Sequence, residues 1–165
     1  MGEQVPLVDY LVLGDDPHLV AHECTACGAR YFDRRNACAA CGAADFRPAR
    51  VATEGELRAF TIVSFAAPGV PVPFVAGVVD CDGTSVRANI VDVEPDPAHV
   101  GTGMAVRLTT VPVGTDAAGT EAIGFGFAPI DSEGSTDPGG RDGRDGRDGR
   151  DGRDGRDGRD QEGTT

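Results

Sequence analysis

The sequence predicts an all-β fold, with a small ribbon near the N-terminus, a five-stranded barrel after it and a disordered C-terminal tail. Two Cys-x-x-Cys-Gly motifs lie close together, at residues 24–28 and 38–42. After them, apolar and polar residues alternate with a period near two, which is typical of half-buried strands. The triplet Gly-Arg-Asp then repeats seven times from Gly140 to Asp160. The repeat has no apolar side chain to bury, so it is predicted to be disordered.

The paired cysteines indicate a metal site. Zn²⁺ prefers four ligands in a tetrahedron, and two close pairs of thiolates meet that preference. A glycine after each second cysteine allows a positive φ in the tight turn, so that neighbouring N–H groups can point at the sulfur atoms. Four protein ligands leave no open position for a substrate, so the site is predicted to be structural. The predicted Zn²⁺ ligands are Cys24, Cys27, Cys38 and Cys41.

Other roles for these cysteines are open at this point. An iron site of the rubredoxin type uses the same four ligands, so ligand type does not separate iron from zinc. Disulfide bonds are disfavoured, because the acidic N-terminus lacks the apolar segment of a secretory signal. The lack of that segment also predicts a cytoplasmic location. A redox dithiol is a third alternative, although a single Cys-x-x-Cys before a helix would suit it better. His22 could replace one thiolate, but four cysteines make it unnecessary.

The segment after the ribbon contains five candidate strands. Asp82-Gly83 is a hairpin turn signal between the second and third strands. The third and fourth are joined by a connection with two prolines that is too short for a long helix. Five such strands favour a small closed barrel, and the OB-fold is the leading candidate. The tripeptide Glu54-Gly55-Glu56 is predicted to be a bend at the entry of the barrel. The candidate strands are 56–65, 74–81, 84–93, 104–113 and 121–127.

These patterns divide the chain into four predicted parts. Residues 1–17 form an N-terminal segment that packs on the rest, and 18–46 form the ribbon. Residues 47–130 form the OB-fold domain, and 131–165 form the tail. No apolar stretch approaches the length that a bilayer requires, so no membrane association is predicted.

The charge of the chain restricts its partners. The net charge is −12 and there is no lysine. The tail repeat holds equal numbers of Arg and Asp, so it contributes none of that charge. Arginine without lysine, with abundant Ala, Gly and Asp, suggests a high-GC bacterial genome. Binding to a phosphate backbone depends on neutralisation by Lys and Arg, so this acidity argues against nucleic acid as the main partner.

No catalytic constellation stands out, so the chain is predicted not to be an enzyme by itself. It has three histidines and lacks a Gly-x-Ser-x-Gly nucleophile motif. Cys81 follows an apolar run and has no evident base, so it is interpreted as a core residue.

Taken in order, several motifs resemble one family. They are a ribbon of the form Cys-x-x-Cys-Gly-x-x-x-Phe, a second Cys-x-x-Cys-Gly, and the segments 57–63, 74–80, 103–108 and 125–129. Over residues 10–129 the chain resembles bacterial and archaeal zinc-ribbon/OB-fold proteins that are associated with acyl-CoA. One departure is Ala39, where family members commonly have proline; the tail lies outside the pattern.

The resemblance implies a partner role. Family members resemble small accessory subunits beside thiolase-fold enzymes, where ribbon and barrel help to form or shield an acyl-CoA site. The four cysteines carry over as zinc ligands. Phe65, Phe74 and Arg87 are candidates for contact with acyl-CoA or the partner, because arginine suits phosphate and the two phenylalanines bracket a proline-rich loop. The alternative is a single-stranded nucleic-acid binder, since zinc ribbons and OB-folds also serve that role.

Overall fold

The computed structural model describes residues 3–130. The tail that the sequence predicts to be disordered lies outside the described residues. The described part is all-β, as predicted, with turns and loops between ten strands and no helix. The strands are β1 (Gln4–Pro6), β2 (Leu11–Val12), β3 (His18–Cys24), β4 (Arg30–Tyr31), β5 (Phe46–Arg50), β6 (Glu54–Val63), β7 (Phe74–Cys81), β8 (Thr84–Ile90), β9 (Ala105–Thr115) and β10 (Glu121–Pro129).

Strands β6–β10 form the predicted five-stranded barrel. Their order is β10-β8-β7-β6-β9, and β9 pairs back with β10, so the sheet closes. The β7–β8 hairpin turns at Asp82 and Gly83, whose φ angles are 51° and 79°. Two positive φ angles suit the twist of a two-residue hairpin, which explains why Asp-Gly occurs here.

No helix capable of spanning a bilayer occurs among the residues that the structure describes.

The predicted bend at the barrel entry is wrong, because Gly55 lies inside a strand. β6 begins at Glu54, and its first three residues pair with β9, including Gly55 with Val106. Glu56 also pairs with Asp80 of β7. This short stretch of β6 therefore joins β9 to the sheet, and at Glu56 it pairs on both sides.

The strand ends also differ from the predictions. β6 ends at Val63, so Phe65 falls in the following loop. The third predicted strand was to reach residue 93, but β8 ends at Ile90, and Asp92 has a φ of 56°, which strands do not adopt. β9 and β10 each extend two residues further than predicted, because they pair with each other along almost their whole length.

Burial alternates along β7 and β8. On β7, Val75, Gly77, Val79 and Cys81 are buried, while the residues between them are half-buried. On β8, Val86 and Ile90 are buried, whereas Arg87 and Asn89 are exposed. Cys81 is fully buried, and this burial, with the Asp80 carboxylate, raises its pKa to about 11. The thiol is therefore a core group.

The N-terminal segment and the ribbon pack on the barrel. β1 pairs in parallel with β10, and β3 pairs with β2, β4 and β5. Leu11 and Leu19 belong to the same buried cluster as the barrel core. The Tyr10 ring lies 4.8 Å from the Phe32 ring and 6.1 Å from the Phe125 ring between centroids, so aromatic contacts link segment, ribbon and barrel.

Candidate metal centre

The structure brings the four predicted cysteine ligands together. Their sulfur atoms all lie within 4.8 Å of one another. Cys24 Sγ is 3.6 Å from Cys41 Sγ, and Cys27 Sγ is 3.5 Å from Cys38 Sγ. A tetrahedral zinc with Zn–S bonds of about 2.3 Å would place its sulfurs about 3.8 Å apart, so the donor set fits the ion.

The same distances argue against disulfide bonds. A disulfide requires sulfur atoms about 2.0 Å apart, and all five cysteines of the chain are free thiols in the structure. The four-sulfur cluster therefore has the geometry of a metal site.

Two equivalent turns position the sulfurs. Gly28 has a φ of 76° and its N–H donates to the Cys24 carbonyl at 2.9 Å. Gly42 has a φ of 78° and its N–H donates to the Cys38 carbonyl at 2.8 Å. These positive φ angles favour glycine over any other residue, as the sequence predicted. The first cysteine of each turn is buried and the second is exposed, so the cluster lies at the surface of the ribbon.

Hydrogen bonds reach the sulfurs from the backbone and from one side chain. The Tyr31 hydroxyl donates to Cys38 Sγ at 3.4 Å, and this bond, together with N–H donors of Ala40 and Cys41, lowers the pKa of the Cys38 thiol to about 6. Donors of this kind favour the thiolate, which is the form that binds metal. Sequence reasoning missed Tyr31, although its place on β4 between the two motifs was a usable signal.

A buried carboxylate joins the ribbon to the barrel. Glu23 is 7% exposed and accepts hydrogen bonds from Arg30 Nε at 2.8 Å and Arg47 Nε at 2.9 Å. Arg30 also donates to the Thr84 hydroxyl of β8 at 3.2 Å. The hydrogen bond from Arg47, which has the larger effect, and the one from Arg30 lower the pKa of the Glu23 carboxyl. Sequence reasoning missed this cluster, because its members are distant in the chain.

Replacing Glu23 by glutamine is expected to destabilise the ribbon and to flatten its response to acid. Because the pKa of Glu23 is lower in the folded chain than its ordinary value of 4.5, ionised Glu23 stabilises the fold above that pH. This contribution is lost as the pH falls through the lowered pKa. This contribution is measured by thermal unfolding of the wild type and Glu23→Gln between pH 7 and pH 3, as the difference between their melting temperatures at each pH. A difference that stays constant over that range would contradict the prediction.

The other predicted contact residues lie apart from the metal centre. Phe65 is 90% exposed in the loop after β6, and Phe74 is half-buried at the start of β7. Arg87 is exposed on β8 and lines a shallow groove that does not include either phenylalanine. His22 is exposed on β3, where it pairs with Tyr31, and it is not part of the cysteine cluster.

Comparison with known proteins gives two family matches in order along the chain. Residues 13–47 match the family model described as "ChsH2, rubredoxin-like zinc ribbon domain". Residues 49–111 match the model described as "ChsH2, C-terminal OB-fold domain". The chain belongs to this zinc-ribbon/OB-fold family. The resemblance seen in the sequence motifs is thereby confirmed.

A solved structure shares the fold. A chain described as "Ltp2-ChsH2(DUF35) aldolase" matches with a TM-score of 0.55 and 24% sequence identity, covering 68% of this chain and 84% of that chain. A search of the curated proteins finds no significant match.

Proposed function

We propose that this chain is a non-catalytic zinc-binding accessory subunit that associates with a thiolase-like enzyme. In that complex it helps to form or shield an acyl-CoA site, in the metabolism of lipid, steroid or aromatic acyl-CoA. The observation that carries this proposal is the ordered pair of ChsH2 domains in one chain. The similar solved chain is described together with Ltp2 as an aldolase, which supports a role beside a catalytic partner.

The proposed metal is a structural Zn²⁺ held by the four cysteines. A four-coordinate metal is supported by the sulfur spacing, and zinc by the match to a zinc-ribbon model. A Cys₄ zinc site contributes folding energy and performs no chemistry on a substrate. A colourless protein with one equivalent of zinc would support this assignment, whereas a red protein with visible absorption would indicate iron.

An exposed apolar loop is the proposed docking surface for the enzyme. The proline loop, residues 64–73, joins β6 to β7 and presents Phe65 at 90%, Val70 at 48% and Val72 at 43% exposure. Aromatic side chains at the centre of an interface often dominate its binding energy. An apolar cluster exposed to this degree is typical of a surface that a partner covers. Phe74 ends the loop and anchors it to the barrel as a half-buried residue.

The proposed acyl contact lies on strands β6, β7 and β8 of the barrel. A shallow groove of about 530 Å³ runs across β6, β7 and β8, and its lining includes Phe60, Val78 and Ala88. Arg87 also lines this groove. An apolar surface beside an arginine suits a ligand with an apolar chain and phosphate groups.

Replacing Phe65 by alanine is expected to weaken binding of the thiolase-like partner by about tenfold or more, since loss of a central aromatic contact typically costs that much. The experiment co-expresses the chain with thiolase-like proteins encoded near its gene, isolates the complex by gel filtration and measures its dissociation constant. Val113→Ala is the matched control, because Val113 is 58% exposed on β9 and lies outside the proline loop. No complex with any such protein would overturn the proposed function. If Phe65→Ala leaves the dissociation constant of the complex unchanged, the docking surface does not include Phe65.

A further inference from the structure

Positive charge is concentrated in residues 18–50, the predicted ribbon together with strand β5, of an otherwise acidic protein. Residues 18–50 hold five arginines and three acidic residues. The rest of the described part, residues 3–17 and 51–130, holds three arginines and thirteen acidic residues. An anionic ligand is therefore attracted to residues 18–50 and repelled by most of the remaining surface.

Three arginines of the described part make no ion pair within it. Five others are paired with carboxylates: Arg30 and Arg47 with Glu23, Arg50 with Asp16, Arg58 with Glu56 and Asp80, and Arg107 with Glu54. The three that are left are Arg34, Arg35 and Arg87. Arginines without a carboxylate partner in a strongly acidic protein are available for an external anion.

Two of these arginines line one groove between the ribbon and the barrel. Arg35 comes from the ribbon and Arg87 from β8, and the groove has a volume of about 500 Å³. The guanidinium carbon of Arg35 lies 4.5 Å from the centroid of the Tyr31 ring. This stacking orients the planar guanidinium, which can then donate two parallel hydrogen bonds to a phosphate.

Half of the other residues that line the groove are aromatic. Four aromatic side chains line it, and none of them is fully buried, so each keeps accessible surface. Aromatic surfaces of this kind stack on planar nucleobases. The Asp33 carboxylate also lines the groove and can accept hydrogen bonds from ribose hydroxyl groups. The four aromatic residues are Tyr10, Tyr31, Phe32 and Phe125.

We infer that this ribbon–barrel groove binds the phosphorylated nucleotide portion of a coenzyme A thioester. The phosphates bind Arg35 and Arg87, and the base packs against the aromatic wall. A groove of about 500 Å³ matches the size of small-molecule sites. Arg87 lines both this groove and the apolar groove on β6–β8, so the acyl chain of the same ligand can continue across the barrel. The inference rests on the proposed function for the identity of the nucleotide.

Calorimetric titration of the full-length, zinc-loaded chain without any partner tests the inference. The probes are coenzyme A, ADP and inorganic pyrophosphate. Coenzyme A and ADP are expected to bind. Pyrophosphate is expected to bind with an affinity at least about tenfold lower, because it cannot use the aromatic wall. The double variant Arg35→Ala/Arg87→Ala is expected to weaken coenzyme A binding by about tenfold or more, because it loses charge-assisted hydrogen bonds. Arg107→Ala, which removes an arginine outside both grooves, is expected to match the wild type.

Several results would overturn the inference. The first is that neither coenzyme A nor ADP binds at millimolar concentration, and the second is that ADP and pyrophosphate bind equally well. The third is a double variant that keeps its zinc and its melting temperature and binds coenzyme A with unchanged affinity. Tighter binding of a single-stranded oligonucleotide than of ADP would replace it with the nucleic-acid alternative. Failure of the proposed function would give a different result: the chain would bind coenzyme A but form no complex with a thiolase-like protein.

Discussion

Replacing Cys24 by serine is expected to release the metal and unfold the ribbon. Cys24 is 1% exposed, so water cannot take the place of the lost sulfur ligand. Structural zinc supplies about 10–16 kcal/mol of folding free energy in zinc-finger peptides at neutral pH, which exceeds the stability that a small ribbon can hold by packing alone. Strand β3 also carries Leu19 and Ala21 into the shared core, so loss of the ribbon exposes apolar surface of the barrel.

Zinc content and thermal unfolding measure this effect. The variant is expected to contain much less than one equivalent of zinc and to melt at a lower temperature, as the wild type does after treatment with a strong chelator. Cys81→Ala is the matched control, because it removes a buried cysteine outside the cluster and is expected to keep the zinc. A Cys24→Ser protein with full zinc content and an unchanged melting temperature would show that the four-cysteine assignment is wrong.

Features that depend on neighbouring residues could be predicted from the sequence. The two cysteine turns follow from the spacing of the cysteines and from Gly28 and Gly42, whose positive φ angles were expected from their position. The β7–β8 hairpin follows from Asp82-Gly83 for the same reason. Alternation of apolar residues predicted which face of β8 is buried. In each case the information lies within a few residues of the feature.

Features that depend on distant residues could not be predicted in this way. The Glu23 cluster needs Arg47, which is 24 residues further along the chain. The ribbon–barrel groove brings Arg35 beside Arg87 only because the ribbon packs on the outer face of β8. Neither motif nor periodicity encodes such a contact, since it depends on the packing of whole elements. The sequence therefore predicted Arg87 as a candidate contact, which stays a prediction, but it did not predict that Arg35 lines a groove with it.

Gly55 is the other position where a small change is expected to have a large effect. A Cβ atom added to Gly55 would lie 2.5 Å from the Asp80 carbonyl oxygen and 2.7 Å from Val79 Cγ1. The nearest atom belongs to the backbone of β7, which is paired on both sides and cannot move without breaking the sheet. Gly55 also lies in the three residues of β6 that pair with β9 and close the barrel. Its role is thus to let two strands approach more closely than any side chain permits.

Gly55→Ala is therefore expected to destabilise the barrel by about 2–3 kcal/mol or more, as overpacking against a rigid neighbour does. For a domain of this size, such a loss lowers the melting temperature by about 8–12 °C. Gly101→Ala is the matched control, because its added Cβ meets no atom within 4 Å and is expected to change stability by about 0.5 kcal/mol or less. Urea unfolding of both variants with zinc present isolates the barrel from the metal site. Equal stability of the two variants would mean that β6 and β7 can separate at this point, and that barrel closure does not depend on the missing side chain.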